Sequence, residues 1–587
     1  MDQHDNCDRA TATAFSFLST DLKLDIFDYV RSKYDQGNAR LVCKEWNHFV
    51  KSQMWRNITT TLGGSFMEHT RKLLEEQEFC LHDIRVLHVG GKYAIPNYQT
   101  IDESRVWTRS VGPDYDASFS GFMGLLRKDQ LLEFSSPKDT PLTSTQFLRL
   151  LHRQSNLRTF RARLDLADIA AEDRASWHSE HCSSITSALR SLKSLRIYAG
   201  ERVAKDSHRR GRHIMVPSLR GDFEMSCNGP LLRSVPLLDC LEICGWPHYY
   251  GCWKGDRRDI WCGPHRVPLM AILANPADPI CFPGSLTRLI LADVDLLDGT
   301  DTFLNGINIA TLRELKLMFC KEPWPLLRSL AACLRQTTTQ LKVLVIRRPI
   351  VDTKGMRECQ RGVMTELLTS FSGLEELEFD TMWAQCVNWK TCLANHGTLK
   401  KLLVSSNFCF GELIWTDTIA SIFEQCPDLE SFAYRPERKS GPRDENPVLE
   451  LPSSLPSLLC ESLNVVAAMA PNLAMLRLLF APGLEISDRY HPLTIREDPE
   501  WTKKAGRSAR RYATLILTYL HSKGSNIKML ALSPNSRWEQ HRGDSNLQYY
   551  PHYFFRPRIV EHKKNQRVVA VPVRDYFAEY PEEAPFV

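Results

Sequence analysis

The chain has 587 residues, 43% of them hydrophobic and 24% charged, with a formal net charge of +5. These proportions are ordinary for a folded soluble protein, and the charge is too small to imply nucleic acid by itself. No apolar run approaches the roughly 18 residues of a membrane span, and Met1-Asp2-Gln3-His4-Asp5 lacks the basic and apolar regions of a secretory signal.

Residues 15–58 are patterned as a small helical unit. Thr20 is placed to cap a helix with Asp21 in its first turn. Leu22, Ile26 and Tyr29 make one stripe, broadened by Phe27 and Val30. A polar break, Asp35-Gln36-Gly37-Asn38, precedes a second helix through Leu41, Val42, Cys43, Trp46, Phe49 and Val50. Met54, Trp55 and Ile58 form a third apolar group. About 45 residues is marginal for independent folding. Two tryptophans and a phenylalanine in so small a unit suggest a surface completed by a partner. The plainer alternative is a helical cap on whatever follows.

This stretch resembles an F-box. The matching residues are Leu18, Ile26-Phe27, Leu41-Val42-Cys43-Lys44-Glu45-Trp46 and Trp55-Arg56, with Ser19 standing where the family usually has proline. The resemblance implies docking on a Skp-family adaptor through Leu18, Leu22, Ile26, Phe27, Leu41, Val42, Cys43, Trp46 and Trp55.

Beyond the head, the pattern apolar-x-x-apolar-x-apolar recurs twelve times. It reads Ile84-x-x-Leu87-x-Val89, Leu157-x-x-Phe160, Leu192-x-x-Leu195-x-Ile197, Leu238-x-x-Leu241-x-Ile243 and Leu286-x-x-Leu289-x-Leu291. It continues through Leu312-x-x-Leu315-x-Leu317, Leu341-x-x-Leu344-x-Ile346, Leu374-x-x-Leu377-x-Phe379 and Leu399-x-x-Leu402-x-Val404. Leu429-x-x-Phe432-x-Tyr434, Leu473-x-x-Leu476-x-Leu478 and Ile527-x-x-Leu530-x-Leu532 complete it. The last two apolar positions are two apart, so in a strand they share a face. Helix-like stretches precede many copies: Phe147, Leu148 and Leu151; Leu327, Leu330 and Leu334; Ile419, Ile422 and Phe423. Each unit is read as helix, turn and strand. One unit cannot close a core, whereas a stack can.

Spacings such as Leu286 to Leu312 match leucine-rich repeats. Leu192 to Leu238, Leu238 to Leu286 and Leu473 to Ile527 are nearly twice as long, which leaves either insertions or a hidden unit. Two copies complete the longer signature, one with Asn407 and one with Cys320. The expected fold class is α/β, a leucine-rich-repeat solenoid (horseshoe) preceded by a small all-α F-box.

The eighteen cysteines form no regular framework. Cys240, Cys244, His248, Cys252, Cys262 and His265 cluster, but their spacing fits no compact zinc finger; no metal or cofactor is expected. Asn57-Ile58-Thr59 matches a glycosylation acceptor by chance, given no signal. Basic runs at 205–213, 435–443 and 503–511 fall between repeats; they are read as solvated insertion loops, with an acidic or phosphorylated target held by charge-assisted hydrogen bonds as the alternative, and are poor in the interleaved aromatics that single-stranded nucleic acid requires. No His-Glu-x-x-His, phosphate loop or Gly-x-Ser-x-Gly occurs, so no enzyme is expected. Tyr553 to Val560 and Val568 to Val573 read as a hairpin around Lys563-Lys564-Asn565 that covers the last repeat.

The chain therefore divides as a tail (1–14), an F-box (15–60), a linker with an irregular first repeat (61–140), a repeat solenoid with insertion loops (141–535) and a capping hairpin with tail (536–587). As a whole it resembles an F-box protein with leucine-rich repeats, of the divergent kind found in filamentous fungi. The resemblance implies the substrate-recognition subunit of a cullin–RING ubiquitin ligase, cytoplasmic or nuclear, holding an unknown target protein. A binding scaffold that pairs with the adaptor outside any cullin complex is the alternative. No membrane partner is expected, and nucleic acid is disfavoured.

Overall fold

The computed structural model describes residues 18–19, 22–23, 36, 38–61, 81–90, 113–136, 142–165, 183–198, 232, 234–245, 267–273, 282–297, 299–350, 356–381, 387–406, 416–436, 454–485, 499–535, 553–562 and 565–573. The chain is mixed α/β and divides into two compact units, Met1–Tyr198 with Phe577–Glu583 and Ala199–Tyr576 with Ala584–Val587.

In the first unit, helix α1 (Lys44–Arg56) runs directly into strand β1 (Asn57–Thr61). Then come β2 (Val86–Gly90), helix α2 (Pro113–Leu125), β3 (Glu133–Ser135), the two-residue β4 (Leu142–Thr143), helix α3 (Ser144–Arg153), β5 (Thr159–Asp165), helix α4 (Ser183–Ser191) and β6 (Ser194–Tyr198). β1, β2, β3, β5 and β6 pair in parallel, in that order. Ile58, Leu87, Phe134, Phe160 and Leu195 stand opposite one another as rungs. The rings of Phe134 and Phe160 stack at 6.0 Å, while Phe147 of α3 lies 5.1 Å from Phe160 and Phe119 of α2 meets Phe134 edge-on. Large aromatic rungs thus let the helices seat on the sheet.

Two corrections to the sequence reading arise here. Ile58 belongs to a strand, not to the helical head. A further copy of the repeat stands at Leu131-x-x-Phe134, with Ser136 at its third apolar position. It supplies β3 and fills the gap between Ile84 and Leu157.

The second unit carries β7 (Cys240–Cys244), β8 (Val267–Pro268), helix α5 (Leu269–Leu273), β9 (Arg288–Ala292), β10 (Val294–Asp295) and helix α6 (Thr300–Asn305). It continues with β11 (Glu314–Met318), helix α7 (Trp324–Gln336), β12 (Val343–Arg347), helix α8 (Met356–Thr369), β13 (Glu376–Thr381), helix α9 (Trp389–Leu393) and β14 (Lys401–Ser406). Helix α10 (Thr416–Gln425), β15 (Ser431–Tyr434), helix α11 (Ser457–Met469), β16 (Met475–Glu485), helix α12 (Pro499–Ser522), β17 (Met529–Asn535), β18 (Tyr553–His562) and β19 (Asn565–Pro572) complete it. β7, β9 and β11 through β17 form one long parallel ladder. Leu315, Leu344, Leu377, Leu402, Phe432, Leu476 and Leu530 make one row of rungs, and Leu317, Ile346, Phe379, Val404, Tyr434, Leu478 and Leu532 the next. All are buried. Each Leu-sized side chain contributes roughly 1.5–3 kcal/mol of hydrophobic driving force.

Two further regularities recur at fixed motif positions. The residue after the first leucine accepts, on its carbonyl, the backbone N–H from the same position one unit later. Arg313 donates to Thr287 (2.7 Å), Lys342 to Arg313, Glu375 to Lys342, Lys400 to Glu375, Glu430 to Lys400, Ala474 to Glu430 and Lys528 to Ala474 (all 2.8 Å). The first unit repeats this: Arg85 donates to Arg56, Leu132 to Arg85, Arg158 to Leu132 and Lys193 to Arg158. A hydroxyl just before the first leucine also donates to the first-leucine carbonyl of the preceding unit: Ser191 to Leu157 (2.7 Å), Ser285 to Leu238 (2.8 Å), Thr311 to Leu286 (3.1 Å) and Thr398 to Leu374 (3.0 Å). Cys320 is buried, its Sγ 3.3 Å from the Leu291 carbonyl; Asn407 lies outside the described residues.

Two of the three long intervals, Leu238 to Leu286 and Leu473 to Ile527, are insertions and not hidden rungs, whereas most of Leu192 to Leu238 lies outside the described residues. β7 pairs directly with β9, so residues 267–273 lie outside the ladder, where β8 pairs with β10. β16 pairs directly with β17, and α12 occupies the gap. Lys503, Lys504, Arg507, Arg510 and Arg511 therefore sit on a helix rather than a loop. Of the other basic runs, 205–213 lies outside the described residues, as does 435–443 beyond Pro436. The final hairpin joins the ladder antiparallel, through Tyr553–Phe555 against β17.

Candidate functional site

The head of the chain is organised by two helix starts. Ser19 caps the first: its Oγ accepts the Leu22 N–H at 3.3 Å and its carbonyl accepts the Lys23 N–H at 3.0 Å, while Thr20, the expected cap, lies outside the described residues. A serine at this position satisfies one of the donors a helix start leaves open. Of the expected polar break, Gln36 and Asn38 are helical, and Asp35 and Gly37 lie outside the described residues. A turn follows, in which Leu41 donates to Asn38 (3.0 Å) and Val42 to Ala39 (3.2 Å).

Leu41 and Val42 accordingly lie before α1, not within it. Cys43 is the N-cap of α1, extended at φ −160° and ψ 170°, with Sγ accepting the Trp46 N–H at 3.5 Å. Glu45 in the first turn and Arg56 in the last both complement the helix dipole. The two helix starts are tied by Lys23. It is buried, forms an ion pair with Glu45 at 2.5 Å and stands over the Phe49 ring at 5.7 Å. Arg40 Nε donates to Asn47 Oδ1 at 2.9 Å, holding the turn against α1.

The expected docking residues separate by environment. Val50 and Ala39 are buried and pack with half-buried Trp46 and Phe49. Trp46 therefore serves the core of the head as much as any surface. Leu18 is half-buried. Leu22, Leu41 and Val42 are the opposite case, 52%, 85% and 61% exposed, and Cys43 is exposed beside them. Leu41 and Val42 are thus consecutive exposed apolar residues on a turn pinned by hydrogen bonds. The side chains of Ile26, Phe27 and Trp55 lie outside the described residues, although Trp55 falls within α1.

A second feature was not anticipated from sequence. On the sheet face opposite the buried rungs, β11 to β13 carry Glu314, Lys316, Arg347, Glu376, Glu378 and Asp380. The signal was present as charged residues at the alternate positions of the motif. Arg347 makes a two-pronged contact with Glu378 at 2.5 and 2.7 Å, Lys316 pairs with Glu314 at 2.5 Å, and Arg348 reaches Asp380 at 3.2 Å. Burial would raise the Glu378 carboxyl, but the charge and hydrogen bonds of Arg347 outweigh it and hold the group below the usual range. Burial pushes Glu376 up. Among the described residues no cluster of His, Cys, Asp and Glu is arranged to hold a metal. Cys240 and Cys244 lie on β7, and the rest of that cluster falls outside the described residues. No helix among the described residues is long and apolar enough to cross a membrane.

Comparison with curated proteins returns no match to the chain. Comparison with family models does: the F-box-like family matches residues 20–61, the stretch that begins just after the Ser19 cap and holds the Cys43 cap, the exposed Leu41-Val42 turn and the first strand. An F-box-like domain, of a type that generally docks on Skp1-type adaptors, therefore occupies this end of the first unit.

Proposed function

We propose that this chain is a substrate-recognition subunit of a Skp–cullin–F-box ubiquitin ligase. The exposed apolar turn Leu41-Val42-Cys43 and Leu22, inside the F-box-like match, supply the adaptor contact. The strand ladders are read as a leucine-rich-repeat solenoid, supported by the in-register rungs and by the hydrogen-bond spine that returns at one motif position in each unit. Such a surface would hold a target protein beside the conjugating enzyme. The chain performs no chemistry itself: tethering raises the effective concentration of a target lysine, and other subunits transfer the ubiquitin.

The single observation that carries the reading is the solvent-facing position of Leu41 and Val42 on a turn fixed by Ala39, Asn38 and Arg40. The test is reconstitution of the full chain with purified Skp1-type adaptor and then with cullin. The reading expects a stable complex with the adaptor and recruitment of the cullin through it. Absence of an adaptor complex overturns it. An adaptor complex that excludes the cullin at saturating adaptor selects the scaffold alternative.

A further inference from the structure

The hairpin of β18 and β19 is more than a cover for the last strand. The Val573 N–H donates to the Phe554 carbonyl at 2.9 Å. With the register of the two strands, Phe555 opposite Pro572 and Val560 opposite Arg567, this fixes which way each backbone group points. Phe554, Arg556, Arg558 and Val560 turn theirs toward β19; Phe555, Pro557, Ile559 and Glu561 turn theirs away.

The outer edge of β19 is closed by α12. Arg510 Nε donates to the Ala570 carbonyl (2.9 Å), Ala570 N–H donates to Thr514 Oγ1 (3.2 Å), and Thr518 Oγ1 donates to the Val568 carbonyl (3.4 Å). Pro572 has no donor to offer. The outer edge of β18 is treated differently. β17 pairs with it only along Tyr553–Phe555. Pro557 then lacks an N–H, and beyond it Ile559 and Glu561 face outward, with no strand paired to them among the described residues. One edge is sealed by three side chains, and the other, among the described residues, is left open at Ile559–Glu561.

The hairpin's side chains give that edge a chemistry. Arg556 and Arg558 share a face with Arg567, which stands opposite Val560. All three arginines are exposed, and Ile559 and Val560 are 51% and 42% exposed.

We propose that the open β18 edge is a docking site for an extended acidic segment of another protein. The segment would add as a strand at Ile559–Glu561, with its carboxylates directed to Arg556, Arg558 and Arg567. Strand addition takes affinity from the backbone and specificity from alternate side chains, and arginine forks suit carboxylates. Nucleic acid fits less well, because it cannot use the alternating donors and acceptors of the edge. The inference does not depend on the ligase reading, which rests on the other unit.

The experiment is fluorescence anisotropy of the full chain with a labelled, blocked octapeptide of alternating valine and glutamate. Its valine–lysine counterpart and the same acidic peptide N-methylated on alternate residues serve as controls. The acidic peptide is expected to bind, to weaken at least about tenfold in the Arg556→Ser/Arg558→Ser/Arg567→Ser variant, and to weaken comparably when N-methylated. The N-methylated ligand probes the backbone contact without altering the protein. No binding, equal binding of the lysine peptide, an unaffected arginine variant, or displacement by a mixed-sequence oligonucleotide at lower concentration than by unlabelled peptide would each overturn the assignment.

Discussion

Truncating the exposed turn should separate adaptor binding from folding. Leu41→Ala removes three carbons and Val42→Ala two, each worth about 0.8 kcal/mol when buried. Leu41 is 85% and Val42 61% exposed in the free chain, so most of that area remains to be covered by a partner. Scaling by exposure gives about 2 kcal/mol for Leu41 and about 1 kcal/mol for Val42. Together, at about 1.4 kcal/mol per decade, the double variant should bind a Skp1-type adaptor roughly a hundredfold more weakly. The same exposure means that neither truncation opens a cavity, so the thermal midpoint should stay where it is. Val50→Ala is the matched contrast: Val50 is fully buried against Ala39, Trp46 and Phe49, and its loss should lower the stability of the head first and binding only as a consequence. The assay is calorimetric titration of the full chain with adaptor, beside a melting curve for each variant. An unchanged melting curve with affinity within about threefold of wild type would refute the assignment of this turn.

Other perturbations test the frame that carries the site. Glu378→Gln should destabilise the second unit by about 3 kcal/mol, because it strands the largely buried Arg347 guanidinium, while Arg347→Met with Glu378→Leu should be close to neutral; a urea titration decides, and equal costs for the two would contradict the pairing. Thr311→Val removes the bond to the Leu286 carbonyl and should cost about 1 kcal/mol by the same measurement. His396 is fully buried, with Nδ1 accepting the Leu374 N–H and Nε2 donating to the Leu368 carbonyl, and burial lowers its pKa. The unfolded chain therefore takes up a proton that the folded chain refuses, so stability should fall as pH drops below about 6.5; urea midpoints between neutral and mildly acidic pH should show a shallower slope in His396→Gln. Cys43→Ser places a stronger acceptor at the N-cap of α1 and should stabilise the head by about 0.5–1 kcal/mol in a thermal melt.

The parts of this fold that could be read from sequence are those where side-chain period and backbone geometry coincide. Leu315 and Leu317 announce a strand because two-residue spacing and burial agree, and their rungs fall in register as the motif requires. Leu131-x-x-Phe134 was missed because Ser136 replaces its third apolar residue, yet Phe134 alone suffices when Phe119 and Phe160 pack on it. The Ser and Thr residues before the first leucines carry a direct signal, since a hydroxyl recurs at one position, but its meaning emerges only when the preceding unit's carbonyl is in place. In the head, the residue types were legible and their roles were not. Leu41, Val42 and Trp46 look alike as apolar residues of one helix. The cap at Cys43 splits them, leaving the first two in solvent and turning Trp46 toward Val50. The sealed and open edges of the hairpin depend on backbone parity, which no composition reveals.

The most direct test of the docking surface is photo-crosslinking from within it. A benzophenone amino acid placed at position 41 of the full chain, mixed with a Skp1-type adaptor and irradiated, should yield a covalent one-to-one product, whereas the same group at exposed Leu237 of the second unit should yield none. Undiminished adaptor binding with no crosslink from position 41 would contradict the account.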